Sequence, residues 1–414
     1  MRHILVLWHR WVGLAMAAFL IISGLTGAII AFEDELDAWL NPQLFRPVWQ
    51  ADKPVLDPYA LQASAQQQAP ANTLVDEVLF KLPDAQTATG LTERVLAFRL
   101  SPADPRATEA VADQLFIDPQ TGASLGVRKY GESLFQRETL ITFLYRLHYS
   151  LALPGKSGHL IMGIVALLWT LDTFVAFALT LPRRQTNAKT RFWHRWRPAW
   201  MVKWQASVTR INFDLHRALG LWLCTVLLIF AWSSVMFNLR DQVYLPVMTK
   251  VMPFDLSWRS VPKLDQPLIR LPMPWPEAHQ MARQAMLEFS QVHGLTIDFE
   301  DRLRLDRVRG VYMYSVHSSA DLREDRGNTA ILIDVQTGKL KGWWLPTKGE
   351  AGNTFSNWLG ALHMGQVFGL PYRIFVCLNG VALVAISVTG VLIWSRKRAV
   401  KKRGKSSVRA AELI

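Results

Sequence analysis

The chain has 414 residues, half of them hydrophobic and 19% charged, with a formal net charge of +13. That mixture is too apolar for a wholly soluble protein and too polar for one confined to lipid, so it predicts membrane helices joined to sizeable soluble domains. The only two cysteines, Cys224 and Cys377, fall inside apolar stretches, which excludes a disulfide framework in the polar parts.

In chain order, residues 1–36 form an outgoing segment whose apolar span, Val12 to Phe32, is long enough for a bilayer core, which takes about 20 apolar residues. The basic start, Met1-Arg2-His3, also suits a signal peptide, but His9 recurs downstream as His216 and a cleaved leader has no reason to be duplicated. Residues 37–147 read as a small α+β domain, with Leu74 to Leu82 as a short helix and Val95 to Leu100 and Gln114 to Asp118 as strands. Within it, Gln62 to Pro70 reads as a surface loop and Ser101 to Arg106 as a turn-rich link.

Residues 148–182 carry a second span, His159 to Leu181, and 183–214 a basic link with Arg183, Arg184, Lys189, Arg191, Arg195, Arg197, Lys203 and Arg210. Residues 215–240 hold a third span, Ala218 to Leu239, read as one unbroken apolar helix. Residues 241–362 form a second α+β domain, with a helix over Glu277 to Phe289 and strands over Val308 to Val316 and Ala330 to Val335. Residues 363–395 carry the fourth span, Ile374 to Trp394, and 396–414 a tail with Arg396, Lys397, Arg398, Lys401, Lys402 and Arg403. Basic link and basic tail both belong on the cytoplasmic side, so both termini lie inside and both large loops are exported. The net charge then reflects topology and contact with anionic lipid, not nucleic-acid binding.

The chain nearly repeats itself. Trp8-His9-Arg10-Trp11-Val12-Gly13-Leu14 returns 207 residues later as Leu215-His216-Arg217-Ala218-Leu219-Gly220-Leu221. Asp118-Pro119-Gln120-Thr121-Gly122 returns after 216 residues as Asp334-Val335-Gln336-Thr337-Gly338, and Leu147-His148 after 215 as Leu362-His363. Offsets this similar describe one duplicated unit in parallel orientation, with a pseudo-twofold axis along the membrane normal.

An imidazole on a membrane helix is a functional candidate, and paired histidines on such helices are what bound haem needs. Under the pseudo-twofold, His9 pairs with His216 near the cytoplasmic face and His148 with His363 near the outer face, giving axial ligands for two b-type haems. The chain has no Cys-x-x-Cys-His, so covalent c-type attachment is excluded. Gly13 and Gly220 lie four residues after His9 and His216, on the same helix face, where a small residue leaves room for a macrocycle or for close helix packing. Arg10 and Arg217 suit either haem propionates or positive-inside anchoring, with Arg146 and Arg373 as weaker outer candidates. His159 lacks a partner in the second half and is a secondary ligand candidate.

Asp172 is the only carboxylate deep in a predicted span, suited to proton relay, to accepting a hydrogen bond from a ligand histidine, or to a structural bond with a neighbouring helix. Trp193-His194-Arg195-Trp196 reads as an interfacial anchor, and His3, His279, His293 and His317 as surface or turn residues. Ser23, Gly24, Gly27, Gly380, Ser387 and Gly390 read as small-residue helix contacts. Neither a Walker loop nor a Gly-x-Gly-x-x-Gly after a strand is present, so electrons are expected from a quinol or a partner rather than from a nicotinamide bound here.

Leu-His-Arg-x-x-Gly-Leu ahead of a span, with a strand ending in Ile-Asp-x-Gln-Thr-Gly, resembles the PepSY-associated transmembrane family over nearly the whole chain. Within it the likeness is greatest to inner-membrane haem-containing siderophore reductases. The resemblance implies two periplasmic PepSY-like domains and four bacterial inner-membrane helices. It also implies reduction of a ferric siderophore at the periplasmic face, with Trp343, Trp344 and Trp358 either facing substrate or forming an aromatic belt. Two other readings stay open: a non-redox sensing or binding protein, and an iron or siderophore transporter.

Overall fold

The computed structural model describes residues 1–50, 52–83, 94–104, 107, 110–183 and 191–411, with side chains as far as Val400. Arg106, Arg184 and Lys189, and the side chains of Lys401, Lys402 and Arg403, lie outside the described residues. In chain order the principal helices are α1 (Arg2–Ile30), α2 (Glu33–Leu40), α3 (Pro58–Gln68), α4 (Leu140–Ser150), α5 (Ser157–Thr180), α6 (Val208–Trp222), α7 (Cys224–Asn238), α8 (Trp275–His293), α9 (Ala351–His363) and α10 (Gly369–Ala411). Strands are β1 (Thr73–Leu74), β2 (Glu77–Leu79), β3 (Leu96–Arg99), β4 (Ser101–Pro102), β5 (Gln114–Ile117), β6 (Ser124–Arg128), β7 (Ile297–Asp306), β8 (Val311–Ser318), β9 (Thr329–Asp334) and β10 (Leu340–Trp344).

Two compact units result. One comprises Met1–Ala31, Tyr145–Val247 and Leu362–Ile414, the other Phe32–Leu144 and Met248–Ala361. In the first, α1, α5 and α10 are long and apolar enough to cross a membrane, and α6 with α7 qualifies as a fourth span only if the pair is taken together. α1 packs on α10 and α5, α5 on α7, and α10 on α6. Gly24 and Gly380 let α1 and α10 touch backbone to backbone, since a Cβ on either would fall 2.7 or 2.6 Å from the other's carbonyl oxygen. Arg2 donates to Leu179 O and Leu181 O at the end of α5, and Arg373 Nε to Ala31 O at the end of α1, so both guanidiniums cap helix carbonyls.

The third span departs from the expected unbroken helix. It starts at Val208, ends at Trp222 and restarts at Cys224 bent by 69°. Gly220 in the last turn of α6 supplies the weak point, having no Cβ and the poorest helix propensity after proline.

In the second unit β3, β5 and β6 form one antiparallel sheet, while a five-stranded sheet runs in the order β10-β9-β8-β7-β2. Residues 37–147 and 241–362 were expected to make separate α+β domains. Instead β2 crosses over and pairs antiparallel with β7, Val78 opposite Leu303, so the two share a sheet. α8 covers that sheet with Ala278, Ala282, Met286 and Phe289, and Met286 at 1% exposure contributes about 1.5–3 kcal/mol by burial.

Two local expectations are reversed. Leu74 to Leu82 holds no helix but the end of β1 and the short edge strand β2, with Val78 buried in one apolar cluster and Val75 and Leu79 in another. The glutamine-rich stretch is helix, not loop. Asp57 caps α3 by accepting from Tyr59 N and Ala60 N, Pro58 suits the first turn, and Gln62 and Gln66 bind the backbone of Val75 and Thr73. Trp343 packs on Phe289 and Trp344 on Trp258, at 5.9 and 5.6 Å between ring centres, and both are half-buried within this unit. The recurring Asp-x-Gln-Thr-Gly is a turn in both places: Asp118 and Asp334 accept from the amides two residues on, and Gly122 and Gly338 take φ of 71° and 65°.

One charged group in α2 sets a pH dependence. Burial, opposed by a 2.9 Å hydrogen bond from Tyr130 Oη and reinforced by Asp34 and Asp37, pushes the Glu33 carboxyl up from 4.5 to about 7. A carboxyl raised in this way holds its proton more tightly folded than unfolded. Its contribution to stability is therefore full below pH 4.5 and lost as pH rises through 7. Glu33→Gln is expected to raise the melting temperature at pH 8 but hardly at pH 4.5, a difference on the order of 2 kcal/mol. Melting curves of both proteins at the two pH values that run parallel would remove Glu33 as the cause.

Candidate functional site

Four histidines meet in two pairs inside the membrane unit. His9 of α1 faces His216 of α6 with ring centres 6.0 Å apart, and His148 of α4 faces His363 of α9 at 6.3 Å. Neither pair is stacked; the ring planes are tilted by 47° and 71°. Two imidazoles joined through one iron need about 2 Å for each metal–nitrogen bond and roughly 1 Å more from each nitrogen to its ring centre, or about 6 Å in all.

The hydrogen bonds fix which nitrogen is available. His148 Nδ1 lies 3.1 Å from Thr26 Oγ1 and 3.0 Å from Ser23 O, and His363 Nδ1 lies 2.5 Å from Ser233 Oγ. His216 Nδ1 lies 2.9 Å from Ile386 O and 3.3 Å from Thr389 Oγ1, and His9 Nδ1 2.9 Å from Asp172 Oδ2. The three hydroxyls already donate to the carbonyls four residues back, Ile22, Ile229 and Ala385, so towards the rings they accept. Every Nδ1 is thus a donor, which in the neutral ring leaves Nε2 its lone pair. Among the described residues no hydrogen bond engages any of the four Nε2 atoms. A ring held by Nδ1–H to a carbonyl or carboxylate, with Nε2 free, is the arrangement of a histidine presented to a metal.

Glycines complete the seats. A Cβ on Gly27 would come within 3.0 Å of His148 Cε1, and one on Gly390 within 3.1 Å of His216 Cε1. Both read from sequence as helix–helix contacts; the structure gives them to the histidines instead. Beside Gly13 and Gly220 a Cβ would meet nothing within 4 Å, so helix packing does not explain these two, and open space on the helix face one turn from His9 and His216 does suit a macrocycle. No cluster of three or more His, Cys, Asp or Glu suited to a bare metal ion occurs among the described residues. A pair of imidazoles supplies only the two axial positions that an iron already held by a macrocycle leaves open. The residues present therefore fit haem.

The remaining candidates separate. Arg10 is exposed, and no ion pair engages it among the described residues. Arg217 is already committed: it donates to Asp214 Oδ1 at 2.8 Å and to Pro198 O, and fully buried Asp214 also takes Arg210 Nε at 2.8 Å. A propionate would have to compete with that carboxylate. His159 is not brought to either pair; its Nδ1 bonds Asn238 Oδ1 at 3.1 Å and its ring lies 5.1 Å from Tyr149. His279, read as a surface residue, instead stacks on Phe80 at 4.0 Å between Tyr59 and Glu300 in the second unit.

Sequence reasoning missed Ser23, Thr26, Ser233, Ile386 and Thr389 as partners. One signal was present, because Thr26 and Ser233 are 207 residues apart, the same offset that relates His9 to His216. No curated protein matches the chain. The model of the PepSY-associated TM region family matches residues 6–397, and the chain, a membrane protein, belongs to that family.

Proposed function

We propose that this protein is a dihaem b oxidoreductase of the bacterial inner membrane that reduces a ferric siderophore at its periplasmic face and so releases Fe(II) during iron uptake. The observation that carries the reading is the double pairing of histidines at an iron-spanning distance, each with Nδ1 donating and Nε2 free. Bound haem supplies a one-electron Fe(III)/Fe(II) couple. A quinol, or another reductant acting at the cytoplasmic side, gives up two electrons and two protons, and each electron reduces one ferric complex. Fe(II) is held less firmly than Fe(III) by hard oxygen ligands and leaves.

The chain's own task is to hold the axial nitrogens still and dry. Thr26 and Ser233 orient His148 and His363, while Asp172 and Ile386 orient His9 and His216. Ser23 lies fourteen positions along α1 from His9, about 21 Å at helical rise. Between them Met16 and Leu20 pack with Val165, Leu227 and Leu383 in an apolar layer. Arg195, Arg197 and Lys203 between α5 and α6, with Arg396, Lys397 and Arg398 on α10, support an orientation with both termini inside.

One observation favours the transport reading, the broken third span. Its break is lined by Leu221, Trp222, Leu223 and Cys224, which offer no carboxylate to a cation. The test is the visible spectrum of the purified protein, oxidised and dithionite-reduced, with haem quantified. About two low-spin b haems per chain and reoxidation by a ferric siderophore are expected. A protein that stays colourless when haem is supplied during expression overturns the proposal.

A further inference from the structure

Three of the four histidines hand their Nδ1 proton to a neutral acceptor: Ser23 O and Thr26 Oγ1 for His148, Ile386 O and Thr389 Oγ1 for His216, Ser233 Oγ for His363. His9 alone faces a carboxylate, Asp172 Oδ2 at 2.9 Å. Asp172 is 5% exposed and its Oδ1 has no hydrogen-bond partner. Among the described residues no Lys or Arg pairs with it, so its charge acts on His9 without a second counter-ion in a poorly screened interior. The asymmetry belongs to one half only. The offset of 215 that carries His148 to His363 carries Asp172 to Ser387, a neutral residue whose hydroxyl donates to Leu383 O.

Resting on the haem reading above, we propose that Asp172 makes the His9–His216 centre the lower-potential of the two, so that electrons run downhill from it to the His148–His363 centre. A carboxylate drawing on Nδ1–H leaves more electron density on Nε2, and that density favours Fe(III) over Fe(II). The negative charge acts in the same direction. A neutral acceptor does neither, so one side chain of the bundle sets a direction that two equivalent sites would lack. Asp172 touches neither substrate nor iron; it is a positioning residue acting through His9. It also bears a cost, since a buried carboxylate oxygen without a donor is unfavourable, and a fold indifferent to it would be served as well by the serine found in the other half.

The test is a spectroelectrochemical titration of the full-length protein in detergent at one pH, comparing wild type, Asp172→Asn, Asp172→Glu and His148→Ala. Two waves are expected in the wild type. In Asp172→Asn the lower wave moves up, so that at fixed poise the oxidised-to-reduced ratio of that haem falls about tenfold, about 59 mV for one electron. The upper wave stays in place, and Asp172→Glu restores most of the shift. His148→Ala, with Asp172 intact, keeps only the lower wave; this decides the matter even if Asp172→Asn fails to fold. Two haems per chain with both waves unmoved in Asp172→Asn, or survival of only the upper wave in His148→Ala, overturns the assignment while leaving the haem reading intact. A wild type without haem overturns both.

Discussion

Replacing His148 or His363 by alanine is expected to lower the haem content from two per chain to about one, and replacing His9 or His216 to do the same by loss of the other centre. Each pair is held by its own acceptors: Ser23, Thr26 and Ser233 for one, Asp172, Ile386 and Thr389 for the other. Between the pairs lies an apolar cluster that includes Met16 and Leu20, so emptying one site leaves the other's contacts in place. Sites without shared partners behave additively. A His148→Ala, His9→Ala double variant should then bind no haem, whereas His159→Ala should keep both, since His159 is committed to Asn238. Haem stoichiometry and the low-spin signal of each purified variant decide it. Single variants that all retain two low-spin haems would mean that other residues ligate the iron.

A second large effect is expected in the other unit. Arg128 at the end of β6 and Asp37 on α2 form an ion pair with both side chains 5% exposed, Arg128 Nη2 lying 2.7 Å from Asp37 Oδ2 and Nη1 3.0 Å from Oδ1. Glu138 O and Gln114 Oε1 take further guanidinium protons, Asn41 Nδ2 donates to Asp37 at 2.7 Å, and the rings of Phe45 and Phe116 flank the cation at 5.7 and 5.0 Å. Removing one partner strands the other charge in a closed site, which costs about 3–5 kcal/mol, whereas removing both charges together costs far less. Arg128→Met is therefore expected to destabilise the full-length protein by that amount in denaturant unfolding. Arg128→Met combined with Asp37→Leu should recover most of it. A loss below about 1 kcal/mol for Arg128→Met would mean that water reaches Asp37 and the pair is not sealed.

Much of the architecture was legible because it is written in local order. Apolar runs marked the spans, and the recurrence of His9 as His216 and of His148 as His363 named the pairs that the structure brings within 6.0 and 6.3 Å. The α8 helix was readable from Ala278, Ala282, Met286 and Phe289 at helical spacing, and the Asp-x-Gln-Thr-Gly turns from their residue types. β7 was missed, although Leu303-Arg304-Leu305 alternates between buried and half-buried positions as a strand with one covered face should. The glutamines of α3 looked like solvated loop because nothing local says that their amides will clamp the backbone of Thr73 and Val75.

Sequence by itself determined which residues are imidazoles, how far apart they lie along the chain and which family the chain belongs to, because motif and hydropathy are properties of short segments. Tertiary structure alone decided the acceptors, since Thr26 reaches His148 across 122 residues, Asp172 reaches His9 across 163 and Ile386 reaches His216 across 170. It also decided that β2 would leave its own half for the sheet of the other, and that the third span would break after Gly220. The reason is common to all of these. A buried donor or strand edge must find a partner somewhere, and which partner lies within 3 Å is settled by helix packing that no single segment encodes.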